Sequence, residues 1–190
     1  MRPNIVMICG GYYPNYSATC NCIHQIANKF VEQGANVTVI SKSYDGIEST
    51  VFFEGQRIYR VTYTRIKDFV RIHKEDGTTL KGKAHIFVIK AYWATRLLLI
   101  KSGMDESLVR SYLEKLEEIE FNRIDAVLPC CMPAEAIKAG YLFCKKHSIN
   151  LFPILYDNYS DNKDYFRFSW NHKLKKGFAV KFECNPFAFN

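Results

Sequence analysis

The chain has no apolar run long enough to cross a bilayer. Its longest, Ile86 to Ile100, covers 15 residues and contains Lys90 and Arg96, whereas a spanning helix needs about 20 apolar residues free of charge. No small-residue cleavage site follows the short apolar run after Arg2, so Met1 to Cys9 reads as a strand rather than a signal peptide. No G-x-x-x-x-G-K-[ST] follows any strand-like segment, which excludes a P-loop. A dinucleotide fingerprint is absent too, because the first loop reads Gly-Gly-Tyr-Tyr-Pro-Asn and the second strand ends Ser41-Lys42 instead of in an acid that would bind ribose. Cys20-x-Cys22 and the vicinal Cys130-Cys131 have no His or Cys set at matching separation, so no metal site is assigned and these thiols are read as small buried hydrophobes. Internal repeats and low-complexity tracts are also missing.

Acids are outnumbered, 19 against 26 Lys and Arg, for a net charge of +7 and a pI near 9.0. That balance favours anionic partners: nucleic acid, phosphorylated small molecules or an anionic membrane surface. No nucleic-acid-binding motif accompanies the charge, so nucleic acid is not assigned. The seven cysteines are an odd number and sit in or beside apolar segments, which fits a reducing, cytoplasmic compartment better than a disulfide framework. The histidines, His24, His73, His85, His147 and His172, are scattered, and none is assigned to catalysis.

The 190 residues suffice for one α/β domain with a real core and are too few for two of ordinary size. Ile5 to Cys9 is a buried strand ending at Gly10-Gly11. Asn15, Ser17 and Thr19 offer caps for a helix whose apolar face is Ile23, Ile26, Ala27, Phe30 and Val31. Gly34 closes it and Val37 to Ile40 is the next strand, completing a βαβ unit. A hairpin over Val51 to Thr64 turns near Glu54-Gly55, with Tyr59, Val61 and Tyr63 alternating against Arg60, Thr62 and Thr64. Residues 65 to 83 read as loop, and helices follow at about 85 to 101 and 105 to 120, the second capped by Asp105. Ile124 to Leu128 is a strand, Glu135 to His147 a helix after Pro133, and Leu151 to Tyr156 a strand ending at Asp157. The pattern predicts a Rossmann-like, doubly wound, mostly parallel sheet with a hairpin insertion.

Ligands of such sheets bind beyond the carboxyl ends of the strands, which selects the loops Gly10 to Asn15, Cys130 to Pro133 and Asp157 to Asp161. Gly10-Gly11 serves either the turn alone or close approach of backbone to a phosphate at the next helix amino terminus. Asp157 either caps the following turn or faces the crevice.

Several stretches resemble the opening of family 4 glycosyltransferases of the GT-B fold: Asn4 to Cys9, Tyr12-Tyr13-Pro14, and Ile26 to Ile40. Glu54 to Val61 is similar to that family's hairpin, Asp125 to Leu128 with Pro133 to its fourth-strand region, and Leu151 to Asp157 to its strand ending in an acid. The resemblance covers roughly residues 4 to 160, expected as an acceptor-binding amino-terminal domain, with 161 to 190 as an extension leading toward a missing donor-binding domain. It implies a cytosolic enzyme that transfers sugar from a nucleotide-diphosphate donor with retention, needing no metal or other cofactor, to a glycan or lipid-linked acceptor in polysaccharide biosynthesis. By the same resemblance Gly10 and Gly11 lie near the donor diphosphate, and Tyr13, Asn15, Pro133 and Asp157 belong to the acceptor side. Where many relatives carry a histidine after the fourth strand, this chain has Cys130-Cys131-Met132, so no catalytic residue is carried over. Alternatives of a different kind are a non-catalytic subunit that recruits a separate donor-binding chain, and a stand-alone nucleotide-binding regulatory module. The basic, aromatic stretch Tyr165 to Phe182 either meets an anionic membrane face or packs as a solvated helix against the sheet or another domain.

Overall fold

A computed structural model of the chain describes residues 2–14, 17–43, 49–62, 81–84, 87–88, 91, 95, 105–119 and 124–156. Asn15, Asp157, Tyr63, the extension 161–190 and most of the helix expected at 85–101 lie outside these residues.

Six strands form one sheet: β1 (Asn4–Ile8), β2 (Asn36–Lys42), β3 (Thr50–Phe53), β4 (Gln56–Val61), β5 (Ala126–Pro129) and β6 (Asn150–Leu151). Among the described residues the sheet is flanked by helices α1 (Ala18–Glu32), α2 (Glu106–Glu118) and α3 (Ala134–His147). The strand order is β3-β4-β2-β1-β5-β6, and every pairing is parallel except β3 with β4. The chain winds outward from β1 to β2 and β4, then returns to place β5 on the other side of β1. That reversal between β1 and β5 marks the topological switch point of a doubly wound, Rossmann-like sheet.

Local chemistry explains the element ends. Ser17 caps α1, its hydroxyl accepting from the Cys20 amide at 3.1 Å. Gly34 follows the helix with φ of 86°, a conformation glycine adopts without a Cβ penalty. Glu54 and Gly55 take φ of 46° and 78°, the left-handed pair a two-residue hairpin turn requires. Asp105 caps α2 through the Ser107 amide at 3.2 Å.

Two apolar layers sandwich the sheet. On one face Met7, Val37, Val39 and Ile58 pack with Cys20, Ile23 and Ala27 of α1 and with Tyr12. On the other, Val6, Ile8, Ile40, Val61 and Val127 pack with Leu108, Tyr112 and Leu116 of α2 and Phe143 of α3. Helix layers on both faces account for the largest departure from the alternation expected in the hairpin. Arg60, expected on the polar side, is only 4% exposed, because β4 is an interior strand covered above and below. Residues 81–83, expected as loop, are helical together with residue 84. The last strand is shorter than expected, β6 being Asn150–Leu151, but hydrogen bonds to β5 run on past it: the Phe152 amide donates to the Val127 carbonyl at 2.9 Å and the Ile154 amide to the Pro129 carbonyl at 2.8 Å, with a bridge between Ile154 and Cys130. Pro153, which has no amide to donate, falls between these two donors, at a position whose amide would face away from β5.

Candidate functional site

The carboxyl ends of β1 and β5 bring two of the selected loops together. The Gly10 amide donates to the Met132 carbonyl at 3.0 Å, and a Cβ on Gly10 would lie 2.9 Å from Pro133 Cδ and 3.0 Å from Met132 O. Gly10 is thus required for space, since the two loops touch backbone to backbone. Each loop contains a cis proline bond, Tyr13-Pro14 and Met132-Pro133. The start of α1 is tied to the same place by Thr19, whose hydroxyl donates to Met132 Sδ at 3.8 Å. Gly11 is half-buried, and its carbonyl accepts from the Cys9 thiol at 3.4 Å.

Beneath these loops lie thiols. Cys9, Cys20, Cys130 and Cys131 are all buried. Burial, with Cys20 nearby, pushes the Cys9 thiol well up, and burial raises that of Cys20. A hydrogen bond with Cys131, together with burial, pushes Cys130 far above the usual thiol range. These groups are protonated and poor nucleophiles. Tyr156, two residues past the bridge to Cys130, is 36% exposed, and burial together with the neighbouring Cys130 raises its phenol. It borders the crevice immediately before Asp157, and sequence reasoning had passed it over as the last residue of a strand.

Tyr13 is anchored to the hairpin. Its ring stacks on Phe53 of β3, centroids 3.8 Å apart and 12° between planes, and its carbonyl accepts from Arg60 Nη2 at 2.8 Å. The buried guanidinium therefore fixes the backbone of the first loop from beneath. Glu135, in the first turn of α3, accepts from the Asp105 amide at 2.6 Å and joins the α2 cap to the rim of the second loop. Neither Arg60 nor Glu135 carries a local signal of such a role, because each acts on a residue distant in sequence. Among the described residues no three His, Cys, Asp or Glu side chains are grouped to hold a metal, and no helix is long and apolar enough to cross a membrane.

The thiol environment has a direct consequence. Cys22 is exposed, so native chain treated with a maleimide and read by mass spectrometry should label at Cys22 well before Cys9, Cys20, Cys130 or Cys131. An opening free energy of about 2 kcal/mol already gives ~30-fold protection. Labelling of the buried four at the rate of Cys22 would contradict the packing.

The chain is, by fold, a Rossmann-like doubly wound α/β domain with a mostly parallel sheet. No family model matches it, and no curated protein matches it in sequence. Among solved structures it is similar to sucrose-phosphate synthase from Thermosynechococcus elongatus, with a TM-score of 0.50 and 9% identity. The match covers 95% of this chain and 40% of the synthase chain, so the present chain spans less than half the length of that protein.

Proposed function

We propose that this chain is the acceptor-side, amino-terminal domain of a retaining glycosyltransferase of family 4 and the GT-B fold, using a nucleotide-diphosphate sugar as donor and no metal or other cofactor. The observation that carries this reading is the switch-point crevice. Loops 10–14 and 130–133 meet there at the carboxyl ends of adjacent parallel strands, in a fold similar to part of a sucrose-phosphate synthase. The order of the motifs in the sequence supports the same reading.

On this reading Gly10 and Gly11 face the donor diphosphate, and the α1 amino terminus adds partial positive charge there. Tyr13, Asn15, Pro133, Tyr156 and Asp157 border the acceptor, a glycan or a lipid-linked sugar. The buried thiols take no part in the chemistry. The basic and aromatic stretch Tyr165 to Phe182 would hold this cytoplasmic enzyme beside the anionic inner face of a membrane, close to a lipid-linked acceptor. Groups that neutralise the leaving diphosphate belong to a second, donor-binding domain.

The 190 residues alone are therefore expected to be inactive, because charge on the leaving group must be stabilised in the transition state. Nucleoside-diphosphate release from a panel of nucleotide sugars would be measured for the 190 residues and for the protein joined to a donor-binding domain. Turnover by the 190 residues above a no-enzyme control would overturn the two-domain reading.

A further inference from the structure

We infer that Ser41 and Arg60 form a recessed seat for a phosphoryl group at the carboxyl ends of β2 and β4, a seat that the Tyr13 carbonyl occupies in this structure. The inference does not rest on sugar transfer, so its failure would leave the two-domain reading untouched. It starts from Ser41, which is fully buried and whose hydroxyl meets no hydrogen-bond partner among the described residues. Buried hydroxyls are almost always paired, because one left unmade costs its full desolvation.

Strand register decides what flanks that hydroxyl. Val37 and Val39 of β2 and Ile58 of β4 lie in the layer covered by α1, and alternation puts Ser41 and Arg60 on the same side. The two residues are partners in the parallel β2-β4 pairing, so their side chains leave neighbouring strands about 5 Å apart. On the other flank stands Cys9, at the end of β1, its amide donating to the Ile40 carbonyl at 2.9 Å. Its thiol proton is committed to the Gly11 carbonyl at 3.4 Å. Ser41 is therefore placed between a committed thiol and a buried, permanently charged guanidinium.

Tyr13 marks the seat. Its carbonyl accepts from Arg60 Nη2 at 2.8 Å, so the loop after β1 delivers a neutral oxygen to a cation. A phosphoryl oxygen in that place makes a charge-assisted bond, roughly twice as strong as one to a neutral acceptor. The same group carries further oxygens, and one of them gives the Ser41 hydroxyl the acceptor it lacks. The exchange asks the Tyr13 carbonyl to turn away, and Tyr13 and Gly11 are only half-buried, so water lies within its reach.

The depth of the seat selects the source of the phosphate. Ser41 is fully buried and Arg60 only 4% exposed, so a headgroup held in the plane of a bilayer does not reach them. The phosphoryl group belongs to a soluble molecule, which the net charge of +7 draws toward the chain at long range.

The test uses the whole 190-residue chain and inorganic phosphate, with sodium chloride at matched ionic strength as the reference. For a dissociation constant of about 1 mM, about 10 mM phosphate should lower the urea unfolding constant roughly tenfold. Ser41→Ala removes a hydroxyl that bonds nothing, so without phosphate it should unfold no more readily than wild type. Phosphate should then change its unfolding constant by less than about twofold. The Tyr13 carbonyl ¹³C signal should move upfield as phosphate is added, because that oxygen gives up the guanidinium. No effect of phosphate beyond chloride, or an equal effect in Ser41→Ala, would overturn the seat. A Tyr13 signal that stays in place while phosphate stabilises the chain puts the anion elsewhere, and a Ser41→Ala chain less stable than wild type without phosphate means an internal water already serves the hydroxyl. Either result sinks the proposal. Phosphatidate vesicles should protect no better than neutral ones, and protection by them in place of free phosphate rules out a soluble ligand.

Discussion

Gly10→Val is expected to destabilise the domain by about 3 kcal/mol or more, from overpacking together with loss of a buried backbone hydrogen bond. The new Cβ alone would stand 2.9 Å from Pro133 Cδ and 3.0 Å from Met132 O. The carbonyl cannot yield without giving up the 3.0 Å bond from the Gly10 amide, and the proline ring cannot rotate away like a flexible side chain. The ends of β1 and β5 would have to part. Against a total stability of about 5 to 15 kcal/mol, a large share of the fold is lost. Gly11→Val makes the informative partner. Its urea midpoint should stay within about 1 kcal/mol of wild type. On the proposed reading, transfer by the protein joined to a donor-binding domain should fall about a hundredfold in Gly11→Val, because a branched side chain holds the phosphate off the loop, a loss of the size that follows when one donor is withdrawn from a developing anion. A Gly10→Val midpoint equal to wild type would contradict the loop contact, and full activity in Gly11→Val would reduce the first loop to a turn.

The sequence displayed what is local and concealed what is not. The apolar strand 5–9, the cap at Ser17, the left-handed Gly34 and the Glu54-Gly55 turn are each written within a few residues, and each stands where its chemistry places it. The parallel, doubly wound character of the sheet needed only the alternation of strand and helix, whereas the strand order is seen only in the structure. Gly10 shows the limit. Its sequence context left a turn and a phosphate contact level, and the packing reason found for it lies at Pro133, 123 positions away. Arg60 shows another. Alternation along β4 set it against Tyr59 and Val61 on the polar side, but the two arginines of the strand part ways: Arg57 is exposed, while Arg60 is buried and its guanidinium reaches the Tyr13 carbonyl.

Of the candidate site, the meeting of two loops was legible. The rule that ligands gather beyond the carboxyl ends of parallel strands selected the loops after β1 and β5, and the structure brings Gly10 and Pro133 into contact there. Tyr13 was selected with them, but its ring is held by Phe53, a residue of the hairpin that interrupts the βα alternation. No pattern in residues 10–15 announces that stack, because the surface completing it comes from β3. Tyr12 carried no separate signal either, although its buried hydroxyl donates to Gln56 Oε1 of β4 and lies 3.0 Å from His24 Nδ1 of α1.

Tyr112 should show how firmly the root of that first loop is held from the other face of the sheet. The side chain is fully buried among Val6, Ile8 and Ile40, and its hydroxyl donates to the Cys9 carbonyl at 2.8 Å, one residue before Gly10. Tyr112→Ala removes a whole ring from a close-packed layer and is expected to cost about 4 kcal/mol, within the range for large aromatic truncations. Tyr112→Phe keeps the ring and leaves one buried carbonyl without this donor, for about 1 kcal/mol. Urea midpoints give both values, and amide exchange at Gly10 adds a local reading. If the hydroxyl fixes the end of β1, exchange at Gly10 should quicken in Tyr112→Phe beyond what its small global loss predicts. A Tyr112→Phe cost equal to that of Tyr112→Ala would mean that the hydrogen bond, and not the filled volume, dominates. Unchanged Gly10 exchange in a chain destabilised only slightly would mean that α2 packs beneath the loop without setting its position.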